Sequence, residues 1–373
     1  MLNQTAAVAD EQTPPASPAI PRKLLVRRTS TDRSQQLRRA VQFAFLALNA
    51  CIGIRFILWV RFYESQGTSL YVARPAGVDG WLPIAGLMNL RYFLLTGHIP
   101  EIHPSAMVLL CVFLLASLLM KKSFCSWLCP VGTVSEYLWK LGRKLIRRTV
   151  LLPKWLDIPL RSLKYLLLAF FLVIVFTMPT EGLGEFLASP FGIVADVKML
   201  NFFRYLGVTG ISILMLLIVL SIFIQNFWCR FLCPYGALMG VVSVLSPVRI
   251  RRDAQACIDC GKCNKACPSH LLVDSLIQIR SVECTGCMEC VAVCPAENAL
   301  QLALMPRKAD SAPTQATASR WAHRILKPQV VAAVLALVFF GLIGTARATG
   351  HWQTNIPRDI YMRLVPNAEN IDH

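Results

Sequence analysis

The chain is short of charge. Of its 373 residues only 16% are Asp, Glu, Lys or Arg, where a soluble globular domain carries about 25%. In a chain this long, that shortfall argues against an ordinary water-soluble enzyme and for contact with lipid. Acid is scarcer than base, 21 residues against 38, for a net charge of +17. Nothing in it resembles the glycine fingerprint of a dinucleotide fold, a P-loop or a nucleophilic triad, so no nicotinamide site is evident in the chain itself. The first 39 residues also lack the apolar core and small-residue cleavage site of a signal peptide, so the first apolar stretch is expected to stay as an uncleaved anchor.

What is present is long apolar sequence. A membrane span needs about 20 mostly apolar residues, and five stretches approach that length: 40–60, 103–120, 163–178, 206–224 and 328–346. A sixth, 81–96, contains Pro83 and Arg91 and is too short; it reads as an interfacial or re-entrant segment on the outer side. Lys and Arg alternate between the connecting segments, with 7, 10 and 12 in one set and 3, 2 and 3 in the other. The positive-inside rule then places the N-terminus in the cytoplasm and the C-terminus outside. With acidic residues included, the inner side carries +17 and the outer side −1. The basic surface therefore suits anionic lipid head groups, and no nucleic-acid partner is expected.

Eight of the 14 cysteines fall within 38 residues. Cys257, Cys260, Cys263 and Cys267-Pro268 form one C-x2-C-x2-C-x3-C-P run, and Cys284, Cys287, Cys290 and Cys294-Pro295 form the next. This is the bacterial ferredoxin spacing, in which the fourth cysteine of each run ligates the other cluster. The expected ligand sets are crossed: Cys257, Cys260, Cys263 and Cys294 for one [4Fe–4S] cluster, and Cys284, Cys287, Cys290 and Cys267 for the other. Zinc ribbons leave no role for the third x2-spaced thiol, and a reducing cytoplasm disfavours disulfides. Gly261 and Gly286 fit the tight turns that bring backbone N–H groups near inorganic sulfur.

A weaker repeat lies 104 residues apart. Cys125-Ser-Trp-Leu-Cys129-Pro130-Val-Gly132 matches Cys229-Arg-Phe-Leu-Cys233-Pro234-Tyr-Gly236, each directly after an inward-running span. On a helix, residues four apart share a face, and Pro130 or Pro234 is expected to end it. Together the motifs offer four sulfurs, enough for a further metal site or a redox-active dithiol pair. The competing reading is a membrane-edge turn in which Cys packs as a small apolar residue. Cys51 and Cys111, alone in their spans, read as packing residues.

Several polar residues have two readings. Asn49 and Arg55 sit inside the first span, where polar groups usually face a bundle interior, although Arg55 is within snorkelling reach of the outer edge. Outside, His98, Glu101, His103, Glu181, Glu185 and Asp196 include possible proton acceptors for a quinol; a solvated loop is the plainer reading of each. Arg249, Arg251 and Arg252 fit a lipid-facing surface.

The expected organisation is a basic disordered cytoplasmic arm over 1–39, a four-span membrane domain over 40–247, a ferredoxin domain over 248–305, a linker over 306–327, a fifth transmembrane helix over 328–346 and a periplasmic tail over 347–373. The fold class is an all-α polytopic bundle with an inserted cytoplasmic α+β domain of the 2[4Fe–4S] type.

The order of these features, FCSWLCP and WCRFLCP after inward spans and then two ferredoxin runs, resembles the NapH/NosR group of membrane iron–sulfur proteins. That group includes the quinol dehydrogenase membrane component and the membrane half of the nitrous oxide reductase regulator. The resemblance covers roughly residues 40–295. It implies electron transfer between the quinone pool, or a cytoplasmic donor, and an unidentified periplasmic redox partner, in the bacterial inner membrane. The regulator's outer flavin domain has no counterpart before the first span, so no flavin is expected, and Trp352 and Tyr361 of the added tail are candidates for docking a partner. The alternatives are a metal-centre assembly reductase that handles copper on the Cys125/Cys129 and Cys229/Cys233 thiols, which suit soft metals, and a redox-sensing membrane regulator.

Overall fold

The computed structural model describes residues 26–28, 32–146, 152–304 and 325–371. The molecule is mostly helical. Three helices, Ser34–Glu64, Trp155–Thr177 and Pro328–Ala348, are long and apolar enough to cross a membrane. The helices Ala195–Arg204 and Val208–Phe223 pass the same test together but meet at a bend of 83°. The remaining apolar stretch forms the 17-residue helix Pro104–Met120. Residues 81–96 become the end of a 3-10 turn, Ala76–Trp81, and a 14-residue helix, Pro83–Thr96. At 1.5 Å per residue, that helix reaches only about 21 Å, short of the hydrocarbon thickness. It lies tightly on Pro104–Met120, because a side chain at Gly86 would come 2.7 Å from the Ala106 carbonyl oxygen. Large apolar side chains stay exposed on the long helices, among them Phe170, Phe176, Leu216, Leu337 and Phe340, as a lipid-facing surface requires.

The first helix begins at Ser34, inside the stretch expected to be a disordered arm. Arg38 and Gln42 explain the early start. Both are buried against Pro130–Ile146, where Arg38 makes a two-pronged ion pair with Glu136 at 2.7 and 2.8 Å. Residues 26–28 are also tied down: Arg28 N donates to the Pro295 carbonyl at 3.0 Å, and Glu297 N to that of Val26 at 2.9 Å. The rest of the arm to residue 31 lies outside the described residues. So does the linker, except that Leu326 N donates to the Leu302 carbonyl at 2.8 Å.

The inserted domain is built on two antiparallel strands, Val248–Arg252 and Leu300–Leu304, with Val248 opposite Leu304. Arg249 is buried and Arg252 donates to the Leu276 carbonyl and to Asp259. Both arginines are thus held within the domain rather than spread on a lipid surface.

The connecting segments sort to two places. The Lys/Arg-poor ones share a core: Trp59, Tyr63, Val78, Val197, Tyr361 and Val365 pack together. Trp352 and Tyr361 are buried, Trp59 meeting Tyr361 edge-on at 5.0 Å, so neither forms an exposed docking surface. The Lys/Arg-rich segments meet the ferredoxin domain instead, through Arg38 on Glu289 at 2.8 Å and Lys164 on Glu283 at 2.7 Å.

Candidate electron-transfer site

The two ferredoxin loops repeat one backbone device. Asp259 and Gly261 in the first, and Gly286 and Met288 in the second, have φ between +54° and +66°. Left-handed residues at alternate positions turn successive N–H groups toward one concavity, which suits anionic sulfur. Cys267 lies with Cys284, Cys287 and Cys290 around one small cavity. Cys294 lies beside Cys257 and Cys260, with Cys263 next to Cys257. The chain crossover thus brings the eight thiols into two groups of four.

The surroundings fit an anionic cluster. Burial, with Glu289 adding to it, pushes the Cys287 thiol up to about 12, so without a metal it would stay protonated at neutral pH. Lys121 is fully buried beside Cys284 and its ammonium has no hydrogen-bond partner. Burying an unpaired charge is costly, and a thiolate-ligated cluster next to it supplies the missing countercharge. Gly286 has φ +63°, and a Cβ there would press on Ser123 Oγ at 3.0 Å and on the Met120 carbonyl oxygen at 3.3 Å. The loop therefore presses directly on the end of Pro104–Met120. Ser126 Oγ donates to the Thr285 carbonyl at 2.7 Å and Trp127 Nε1 to that of Gly286 at 3.4 Å.

The Cys-x3-Cys-Pro motifs are not helix ends. Each is a single π turn, Phe124–Leu128 or Trp228–Leu232, closed by Cys129 N on the Phe124 carbonyl at 2.9 Å and Cys233 N on that of Trp228 at 3.0 Å. The proline begins the next helix, Pro130–Ile146 or Pro234–Val242, where its fixed φ and missing N–H do no harm. Gly236 N donates to Cys233 Sγ at 3.2 Å. All four motif cysteines, half-buried, face the same cavity. Cys51 is exposed and Cys111 half-buried.

That cavity holds about 980 Å³. Its wall is mainly apolar and includes Phe45, Leu48, Leu87, Phe113 and Phe339. It also reaches Asn49, Arg55, Arg74, the four motif thiols and Cys287. Arg74 belongs to a buried cluster that sequence reading saw only in part. Its Nε and Nη2 donate to Asp196 Oδ2 at 3.0 and 2.7 Å, and Nη2 also pairs with Asp79. His103 Nδ1 lies 3.0 Å from Asp79 Oδ1 and its Nε2 3.0 Å from the Gly192 carbonyl. Nδ1 also lies 3.1 Å from Arg74 Nη2, so that nitrogen meets a donor as well as an acceptor. Burial and Arg74 disfavour the charged ring, and the Asp79 and Asp196 carboxylates outweigh them and raise its pKa above the ordinary imidazole value. His103 and Asp196 are therefore not solvated loop residues, whereas His98, Glu101, Glu181 and Glu185 are exposed. Arg74 and Asp79 carried no spacing signal that could have singled them out.

Comparison with known proteins places these features. A family model described as a 4Fe-4S binding domain matches residues 102–149 and 206–252, the two segments that carry the π turns. A 4Fe-4S dicluster domain matches residues 249–305. YccM of Escherichia coli K12, described as a candidate electron transport protein, is 51% identical over 336 residues, 90% of this chain and 91% of its own. The ferredoxin-type protein NapH of the same organism is 26% identical over 69% of this chain and 85% of its own. The regulatory protein NosR of Pseudomonas aeruginosa is 27% identical over 57% of this chain but only 29% of its own. No solved structure matches the chain.

Proposed function

The chain belongs to the family of membrane 4Fe-4S ferredoxin-type electron transport proteins that YccM and NapH represent, and from that membership we propose that it exchanges electrons between the quinone pool and a periplasmic redox protein. Two [4Fe–4S] clusters carry the electrons, one held by Cys257, Cys260, Cys263 and Cys294, the other by Cys284, Cys287, Cys290 and Cys267. The observation that carries the quinone reading is the cavity, which joins an apolar wall to Cys287 and to Arg74. An apolar pocket with a few fixed polar groups is the usual form of a small-ligand site. Arg74, held by Asp79 and Asp196, offers a hydrogen bond to a quinone oxygen. A quinol that reacted here would yield quinone, two protons and two electrons, and clusters held by the eight cysteines would supply one-electron acceptors for them.

In this reading the chain crosses the bacterial inner membrane five times, with the N-terminus and ferredoxin domain in the cytoplasm and the C-terminus in the periplasm. The crossings include Pro104–Met120, whose 17 residues span about 25 Å, close to the lower limit for a transmembrane helix. The sorting of Lys/Arg-rich and Lys/Arg-poor segments to separate places supports this sidedness.

The test is anaerobic addition of a short-chain quinol to the purified protein in lipid discs, followed by visible bleaching. Cluster reduction is expected, with Arg74→Gln requiring roughly tenfold more quinol for the loss of one charge-assisted hydrogen bond. Clusters that dithionite reduces but no quinol does, at any concentration, would contradict the quinone reading.

A further inference from the structure

We propose that Cys125, Cys129, Cys229 and Cys233 together ligate a further iron–sulfur cluster, shared between the two halves of the internal repeat. The proposal rests on the electron-transfer reading above and names what the membrane-edge thiols contribute to it.

The site is built the same way twice. In each half a π turn sets the first cysteine, and the second stands at the start of a proline-led helix. There the first N–H groups of the helix are free to meet a negative sulfur, as Gly236 N meets Cys233 Sγ at 3.2 Å. In the first half the turn packs tightly enough to need glycine after Cys-Pro-x, since a Cβ at Gly132 would come 2.3 Å from the Cys125 carbonyl oxygen; at Gly236 the same approach is looser, 3.7 Å from the Cys229 carbonyl oxygen. Two such turns, each supplying two thiols, then face one end of the same cavity. Lys122, almost fully buried, also lines it and brings positive charge to thiolates.

The choice of metal centre follows from spacing and position. Four thiolates select zinc, copper(I) or iron–sulfur. A tetrahedral zinc with bonds of about 2.3 Å holds its sulfurs about 3.8 Å apart. Among the described residues, the group of three or more His, Cys, Asp or Glu whose ligand atoms all lie within 4.8 Å is Asp79, His103 and Asp196. No three of the four sulfurs come that close, so the opening fits a centre of several irons better than a single ion. Position agrees, for the Cys125 turn touches the Cys287 loop through Ser126 and Trp127. A redox-inert zinc there would interrupt the path between the cavity and the ferredoxin clusters, and an iron–sulfur cluster continues it.

The experiment compares full-length protein, produced anaerobically, with three variants by iron, zinc, copper and sulfide analysis and by Mössbauer spectroscopy. In Cys125→Ser/Cys129→Ser/Cys229→Ser/Cys233→Ser, about four irons are lost if the centre is a cubane and about two if it is [2Fe–2S], while the eight of the ferredoxin domain stay. Either count supports the proposal. The single variants Cys125→Ser and Cys229→Ser, one from each half, should perturb the same spectral component, because the cluster is shared. Retained ferredoxin signals in all three show that the chain still folds. Unchanged iron in the quadruple variant overturns the proposal, as does loss of one zinc or copper instead of iron. A quinol that reduces nothing, with the extra irons present, would contradict the quinone reading and leave this cluster standing.

Discussion

At Lys121 the chain buries an ammonium group that has no hydrogen-bond partner and lies beside Cys284. Burial draws it below the usual lysine range, and the sulfur holds it up. If it is the countercharge of the second-run cluster, Lys121→Met should lower that cluster's midpoint potential. A drop on the order of 60 mV, tenfold in the one-electron equilibrium, is the expected size in a redox titration followed by EPR; an unmoved potential would remove Lys121 from the site. His270 gives a second residue-level test. Burial, with Arg230 and Arg161 nearby, pushes its imidazole from 6.5 down to about 4. The unfolded chain then binds the proton more readily, so the stabilisation from neutral His270 is complete above about pH 6.5 and is lost as pH falls toward 4. Wild-type cluster absorbance should decay with an acid slope in that window that is shallower in His270→Asn. The ferredoxin segment was legible in the sequence because the cysteine spacing is itself the signal, and a 4Fe-4S dicluster domain matches residues 249–305. Lys121 was not, since one lysine after an apolar helix reads as an ordinary positive-inside charge until its burial is seen.

Among elements, the joint between the first helix and the ferredoxin domain is electrostatic. Arg38, with 2% of its side chain exposed, pairs with Glu136 and Glu289 at 2.7 and 2.8 Å. Removing one member of a buried pair leaves the others uncompensated and costs about 3–5 kcal/mol. Arg38→Met should therefore lower the melting temperature of the solubilised protein clearly. Lys140, on the same Glu136 but 31% exposed, should matter by less than about 1 kcal/mol when replaced by Met. Equal effects of the two would show that the joint is not held by the buried pair. The repeat of Cys-Pro motifs was visible in the sequence, but its conformation was not. A four-residue spacing reads as a helix face, and only the i to i+5 hydrogen bonds of Cys129 and Cys233 show that each proline starts a helix.

For the whole molecule, the alternation of Lys/Arg-rich and Lys/Arg-poor segments predicts the sidedness. A reporter active only outside the cytoplasm, fused after Ile371, should be active, and the same reporter inserted after Leu304 should be silent; the reverse pattern would invert the topology. Apolar length made the first, third and fifth spans legible, and these stand as the helices Ser34–Glu64, Trp155–Thr177 and Pro328–Ala348. The 83° bend before Val208–Phe223 was not legible, because hydropathy measures length and composition and carries no direction. Nor was the cavity, which exists only once Arg74, the π turns and Cys287 come together from distant parts of the chain.

The central claim is that the sulfurs from Cys257 to Cys294 hold two iron–sulfur cubes in a membrane protein that carries electrons. Low-temperature EPR of the dithionite-reduced, anaerobically purified chain, read beside its iron and sulfide content, tests it most directly. Two interacting cubane signals, both lost in Cys260→Ser/Cys287→Ser, are predicted; a colourless protein holding zinc and no labile sulfide would contradict the account.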